Sequence, residues 1–375
     1  MKYKFEDIAI NSTAKKLPEP SDNEHYIGLE HLDSGNLYVT RWGADTAPIG
    51  EKLLMKKGDV LFGKRRAYQK KVGIAPFDGI FSAHGMVLRP KEDVICKEFF
   101  PFFISSDYFL NEAIRISVGG LSPTINWKDL RVLEFELPSL DEQRVLADKL
   151  WAAYEVKESY KNLLAQTDKL LHAQFEKIQN EAKEQKLSSY IDIVRGVSYK
   201  PDDICSNDES SRVILRANNI SNQTLNFDDI VFVNGERVKD IQLLKMGDVL
   251  MCASSGSQEH VGKVALISED YDNVSFGAFC LVVRGHDIIP EYLFSLLGSS
   301  SFRNHIELMC NGTSILNIRR EYIEDWICPI ADEHQQQEFV RVFNQAEQTK
   351  ASLNKGIEAI EAVIRSLIAE STTKV

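Results

Sequence analysis

The run Gly63-Lys64-Arg65-Arg66-Ala67-Tyr68-Gln69-Lys70-Lys71 sets five cations beside a tyrosine and a glutamine. These are side chains that recognise nucleic acid: Lys and Arg neutralise phosphates or pair with guanine O6/N7, and Gln addresses adenine N6/N7. A solvated basic loop is the alternative reading. In the second half of the chain the corresponding place is held by Ala253-Ser254-Ser255-Gly256-Ser257-Gln258-Glu259-His260, small and polar, with Lys263 close behind. Two glycine-rich loops form a second pair of candidates. One carries Ser122, Thr124 and Asn126 ahead of Trp127-Lys128, the other Thr313, Ser314 and Asn317 ahead of Ile318-Arg319-Arg320. A glycine and asparagine turn needs no ligand, so these rank below the basic run.

Catalytic spacings do not emerge. GSQEHVGKV, which begins at Gly256, invites a phosphate-loop reading, but five residues separate Gly256 from Gly262, and Val264 follows Lys263 where magnesium needs Ser or Thr. Pro201-Asp202-Asp203 has no acidic-x-Lys partner downstream, and neither a G-x-G-x-x-G fingerprint nor a double proline occurs. His25, His31, His84, His260 and His305 lie at neither metal nor triad spacing, so ordinary polar roles are expected. The six cysteines, Cys96, Cys205, Cys252, Cys280, Cys310 and Cys328, form no C-x-x-C and read as reduced structural thiols.

A chain of 375 residues, 43% hydrophobic and 26% charged, has room for two or three globular domains. Its formal net charge of −11 argues against coating nucleic acid by bulk attraction but permits a local basic patch. No apolar run of about 18 residues exists, and MKYKFEDIAINSTAKK lacks a signal-peptide core. A cytoplasmic protein without a membrane partner is expected.

The elements that must position the candidates are written twice. Pro138 before Asp141-Glu142-Gln143 recurs as Pro329 before Asp332-Glu333-His334, an offset of 329 − 138 = 191, and Asn126 and Asn317 keep the same interval. Lys57-Gly58-Asp59-Val60-Leu61 echoes Met246-Gly247-Asp248-Val249-Leu250, Met86-Val87-Leu88-Arg89 echoes Leu281-Val282-Val283-Arg284, and Tyr26-Ile27-Gly28-Leu29 loosely echoes Val213-Ile214-Leu215-Arg216. Each half therefore combines short strands broken by Gly, Asn, Asp and Pro with one long helix. In the first helix the apolar stripe runs through Leu146, Leu150, Ala153, Val156, Tyr160, Leu163, Thr167, Leu170, Gln174 or Phe175, and Ile178. In the second it runs through Phe339, Phe343, Ala346, Thr349, Leu353, Gly356 or Ile357, Ile360, Val363 and Leu367. The three-and-four spacing is that of a coiled-coil seam, and the two seams are expected to face each other. Asp141 and Asp332 sit where an N-cap belongs, with Glu142 and Glu333 at the positive end of each helix dipole. The expectation is an α+β chain of two similar domains, 1–140 and 187–331, joined by two long antiparallel coiled-coil helices, 141–186 and 332–375.

Duplicated halves, a G-D-V-L strand start, a glycine-asparagine loop and P-x-x-D-E-Q opening a long helix resemble the specificity subunit of Type I restriction-modification enzymes. The resemblance implies two target recognition domains on paired spacer helices. Each domain would read one half of a bipartite double-stranded DNA site, with no catalysis in this chain. Two methyltransferase subunits using S-adenosylmethionine and restriction (helicase-nuclease) subunits using ATP and Mg would be its partners. The second copy departs in having Glu333-His334 for Glu142-Gln143 and Gln335-Gln336-Gln337 for Arg144-Val145-Leu146, so its methyltransferase contact is expected to differ. Because the chain opens almost at the first domain and closes with the second helix, a fused nuclease or methylase is not expected. A scaffold whose helices assemble partners without reading DNA is the alternative. Under the resemblance the helices act as a ruler: one heptad inserted in both should lengthen the gap of the recognised site, and an unchanged gap would dispose of that idea.

Overall fold

Short apolar runs introduced by a glycine turn make the strands of both halves. Gly58 and Gly247 sit at φ 89° and 87°, a backbone that a side chain strains, and each turns the chain into a buried strand, Val60–Phe62 or Val249–Cys252. The computed structural model describes residues 1–46, 48–221, 223–256, 260–309 and 317–373. The chain forms two compact units, Met1–Leu163 with Ser352–Val375, and Leu164–Ala351.

In unit 1 an antiparallel sheet runs in the order Ala9–Ser12, Met86–Pro90, Val60–Phe62, Val72–Ile74. Unit 2 repeats it as Ile191–Arg195, Cys280–Gly285, Val249–Cys252, Val264–Leu266. Beside each lies a sheet with one parallel pair, Tyr26–Ile27 with Gly79–Phe81, or Ser211–Leu215 with Val274–Phe276. The echoes in the sequence are thereby given a physical reason. Asp59, 7% exposed, accepts from Arg89 Nε at 2.7 Å and Nη2 at 2.8 Å. Asp248, 1% exposed, accepts from Arg284 Nε and Nη2, both at 2.7 Å. The aspartate of one echo and the arginine of the other form one bidentate pair, present in each unit.

Two short helices follow in each half, Phe100–Ser105 and Asp107–Arg115, or Pro290–Leu297 and Ser300–Met309. Between them Ser106 caps Phe109 N at 3.2 Å and Ser299 caps Phe302 N at 3.2 Å. The core of unit 1 is built on Phe5, Phe99, Phe103, Phe109 and Phe135, and that of unit 2 on Tyr292, Phe302, Phe339 and Phe343.

The long helices are Leu140–Glu181 and Glu333–Thr373. Their starts correct the register read from the sequence. Ser139, not Asp141, caps the first: Glu142 N donates to Ser139 Oγ at 3.4 Å and Ser139 N to Glu142 Oε2 at 2.9 Å. Asp141 lies within the first turn, where it pairs with Arg144 at 2.7 Å. Asp332 does cap the second, its Oδ1 accepting from Gln335 N at 2.9 Å. Ser139 and Glu142 thus correspond to Asp332 and Gln335, and the interval is 332 − 139 = 193. Buried Gln143 accepts from Cys96 N at 2.8 Å and donates to Pro138 O at 3.0 Å. Gln336 accepts from Ile289 N at 2.8 Å and donates to Ala331 O at 2.8 Å. In this register Gln143 is equivalent to Gln336 and not to His334.

The expected seams are interrupted. Leu150, Phe175 and Ile178 of the first helix are buried, whereas Val156, Leu163 and Leu170 stand 43%, 48% and 65% exposed. Gln143, Ala147, Tyr154 and Lys157 are buried in their place. The reason is that this face also holds its own domain: Tyr154 OH receives Leu37 N at 2.6 Å and donates to Asn36 Oδ1 at 2.6 Å, and Lys157 donates to Gly35 O at 3.0 Å. Polar tips on apolar stems do what leucine would do in a free coil. On the second helix Phe339, Phe343, Ala346 and Leu353 are buried and Val363 is 51% exposed. Within each unit the helix segments run in opposite directions. In unit 1 Lys157 Nζ lies 3.9 Å from Glu361 while the Tyr160 ring closes on Gly356, and in unit 2 the Phe175 and Phe339 rings meet edge to face, centroids 5.2 Å apart, while Lys350 reaches Asp168 at 3.0 Å.

Candidate nucleic-acid interface

The basic run and the first glycine-rich loop, separate candidates in the sequence, are one surface in unit 1. Arg66 N donates to Pro123 O at 2.8 Å and Ile125 N to Lys64 O at 2.9 Å, while Arg65 and Thr124 form an antiparallel bridge. A third segment joins them, the turn from Ser82 to Gly85 between strands Gly79–Phe81 and Met86–Pro90, where Arg65 N donates to His84 O at 3.2 Å. Ala67, 2% exposed, plugs the loop into the core. Around it Arg66 and Lys70 adopt left-handed backbone, φ 54° and 49°. Non-glycine residues held there cost on the order of 1 kcal/mol each, so the loop is shaped by its surroundings.

Its cations divide by their commitments. Lys70 is paired with Asp107 at 2.6 Å, and Lys71 donates to Leu29 O at 2.6 Å. Both serve the scaffold. Arg65 and Arg66 are exposed, Arg65 with its guanidinium 3.3 Å from His84 Nε2, and Tyr68 is 55% exposed with Gln69 half-buried beside it. Lys64 is half-buried, and burial, then Lys15, hold its ammonium below the usual lysine range. The His84 imidazole is lowered by burial first, then by Arg65, Lys64 and Lys52. His84 and Lys15 therefore belong to this basic face, although the sequence left His84 with an ordinary polar role and did not single out Lys15. Nothing in their local spacing pointed to them, because they arrive from other strands. Of the remaining candidates Ser122 and Thr124 are half-buried, the Thr124 hydroxyl donating to Ser122 O at 3.1 Å. Asn126, half-buried, stands at the N-cap of the short helix Trp127–Leu130, and Lys128 is exposed on that helix.

Unit 2 builds the same three-segment surface. Ile318 N donates to Ala253 O at 2.7 Å, Ser254 bridges Asn317, and Ala253 N and Ser254 N donate to Phe279 O at 2.9 Å and 3.0 Å. Arg65 with Thr124 thus corresponds to Ser254 with Asn317, and Asn126 to Arg319, which stands at the N-cap of Arg320–Glu324. The two asparagines matched at an interval of 191 are not equivalent. Lys71 and Lys263 are equivalent, since Gly63 N donates to Lys71 O and Cys252 N to Lys263 O, both at 2.9 Å. Lys263 Nζ lies 2.7 Å from His260 Nδ1. Ser254 and Ser255 are half-buried, Asn317, Arg319 and Arg320 are exposed, and Arg320 is paired with Glu324 at 2.7 Å. Ser257, Gln258, Thr313 and Ser314 lie outside the described residues.

No group of three or more His, Cys, Asp or Glu side chains could hold a metal among the described residues. His305 instead stacks on Trp326, ring centroids 5.5 Å apart. Cys252, Cys280 and Cys328 are free buried thiols pushed up by burial, to about 11, 12 and 12. No described helix is long and apolar enough to cross a membrane.

The two units share one plan, and each ends its sheet in a three-segment polar face. Residues 5–166 match the family model of the Type I restriction modification DNA specificity domain. It is 36% identical over 135 residues to the Type I restriction enzyme StySPI specificity subunit of Salmonella potsdam, and 34% identical over 135 residues to the EcoKI specificity subunit of Escherichia coli K12. Each match takes in 36% of this chain and only 29% of the relative. Over its whole length the chain shares its fold with the Type I restriction-modification S subunit of M. genitalium, at 12% identity and TM-score 0.59, covering 96% of that chain. A second chain, solved in a study of complex assembly and conformational transition of the type I R-M system, aligns at 14% identity and TM-score 0.57, covering 97% of its length. At such identities it is the fold that is shared.

Proposed function

We propose that this chain is the sequence-specific DNA-binding subunit of a Type I restriction-modification complex. It reads a bipartite double-stranded target with recognition domains at 1–140 and 187–331, and directs two methyltransferase subunits and the restriction subunits to that target. It is itself non-catalytic and holds no cofactor, the partners supplying S-adenosylmethionine, ATP and Mg chemistry. One observation carries the reading: the same backbone surface is built twice and dressed differently, Arg65 and His84 in one unit against Ser254 and Phe279 in the other. Shared backbone with divergent exposed side chains is what two half-sites of different sequence require. The family of residues 5–166 supports the DNA reading. An acidic chain, with a net charge of −11 over its whole length, disfavours indiscriminate DNA binding and leaves affinity to local patches.

The test is methylome sequencing of a host carrying the partner genes, with and without this chain. A methylated motif in two parts separated by a fixed gap is expected only when the chain is present. An unchanged methylome, or DNA modified or cut by the purified chain alone, would overturn the assignment.

A further inference from the structure

We infer that Phe279 is a base-reading residue of unit 2 and that it docks against a thymine 5-methyl group in the major groove of its half-site. The inference rests on the DNA-reading assignment above and deepens it.

Phe279 stands 70% exposed, more than any other described phenylalanine; Phe227 follows at 40%, and Phe276, three residues before Phe279, is wholly enclosed. A lone exposed aromatic is ordinary on a protein surface, and here its place decides. The ring is carried on the turn between strands Val274–Phe276 and Cys280–Gly285, closed by Cys280 N donating to Gly277 O at 2.8 Å. The Phe279 carbonyl receives both Ala253 N and Ser254 N, which fixes the turn to the recognition loop at the point where that loop bridges Asn317. The turn is therefore held, and the side chain is presented from a rigid base.

Its counterpart in unit 1 gives the second observation. The turn from Ser82 to Gly85 has the same hydrogen bond, Gly85 N to Ser82 O at 3.0 Å, and the same tie, Arg65 N to His84 O. His84 occupies the position of Phe279 and lies within the basic face, 3.3 Å from Arg65. One backbone site thus presents a polar ring beside cations in one unit and an apolar ring beside Ser254 and Asn317 in the other. Apolar side chains distinguish base pairs in the major groove by one feature, the thymine methyl. A face with few free cations, as unit 2 has, needs such contacts for discrimination.

The test uses the full-length chain co-purified with its methyltransferase subunits and a duplex carrying the split site selected from a random-sequence library. Each thymine of the site is replaced in turn by uracil, which removes only the methyl. For the wild-type complex one replacement in one half-site is expected to weaken binding about fourfold, the worth of a buried methyl. Phe279→Ala should be insensitive to that replacement while responding normally to changes in the other half-site, and Phe279→Leu should restore part of the effect. A wild-type complex that selects no sequence overturns the DNA-reading assignment and this inference with it. A wild-type complex that reads a split site, but whose uracil profile is flat or is shared by Phe279→Ala, overturns the role of Phe279 alone. So does a loss spread equally over both half-sites, which would mark a structural residue.

Discussion

Replacing Arg284 by alanine is expected to destabilise unit 2 by about 3 kcal/mol, because it strands the Asp248 carboxylate in the protein interior. Asp248 is 1% exposed, and its remaining donor is Lys245 N at 2.9 Å. One backbone hydrogen bond does not replace a bidentate guanidinium. For a unit of this size the loss corresponds to a fall in melting temperature of about 6–12 °C, read by calorimetry on the full-length chain. The matching change in unit 1, Arg89→Ala, should cost less, about 1–2 kcal/mol, since Arg89 is 35% exposed and water screens that pair. Removing both partners, as in Asp248→Ala with Arg284→Met, should recover much of the loss, because no buried charge is then left alone. Equal melting temperatures for wild type and Arg284→Ala would mean that the pair is replaceable by water and that Asp248 is not the buried charge its geometry indicates.

That pair also explains why the duplication could be read at all. Gly58-Asp59 and Gly247-Asp248 recur because a left-handed turn needs glycine and a buried aspartate needs its arginine, so two strand starts and two strand ends are constrained together. Positions under one physical demand each repeat visibly. Register between them is another matter, since loops change length without changing those demands. From Gly63 to Lys71 the interval is 71 − 63 = 8, and from Cys252 to Lys263 it is 263 − 252 = 11, yet the backbone pairing is the same. The interval of 191 matched Asn126 with Asn317 by residue type and set Gln143 opposite His334 by position alone. Hydrogen bonding aligns the glutamines Gln143 and Gln336, and Thr124 with Asn317. A two-residue slip is invisible in a glutamine-rich run, where DEHQQQ offers three glutamines and only burial selects Gln336.

The candidate surface was legible where its chemistry is concentrated in sequence and illegible where it is assembled. Lys64, Arg65, Arg66 and Tyr68 announce themselves as a cluster. His84 and Phe279 do not, because each is a single residue on a turn brought alongside by strand pairing. The same assembly removes residues that the cluster suggested. Lys70 and Lys71 have the right charge, but Asp107 and the Leu29 carbonyl hold them to the scaffold. On the long helix Val156, Leu163 and Leu170 have the right spacing, but the buried face is set by Tyr154 and Lys157, whose polar tips bind the loop of their own domain.

Substituting Lys64, Arg65 and Arg66 together by alanine is expected to weaken binding of the assembled complex to its target by on the order of a hundredfold at about 0.1 M salt. Each phosphate contact contributes close to one unit to the slope of log affinity against log salt, so the slope should flatten by about two to three. The lower figure applies if Lys64, half-buried and with its charge opposed by its surroundings, contributes little. Lys70→Ala is the comparison, because its cation is already neutralised by Asp107 and its loss should leave the slope nearly unchanged. The same titration separates positioning from reading. If the arginines hold only phosphates, affinity falls uniformly for every duplex. If Arg65, held at the bridge to Thr124 beside His84, reaches a guanine, then Arg65→Ala alone relaxes discrimination at one position of the unit 1 half-site by about 1–3 kcal/mol. An unaltered slope in the triple variant would remove the cluster from the interface and return it to the solvated loop that its composition alone also allowed.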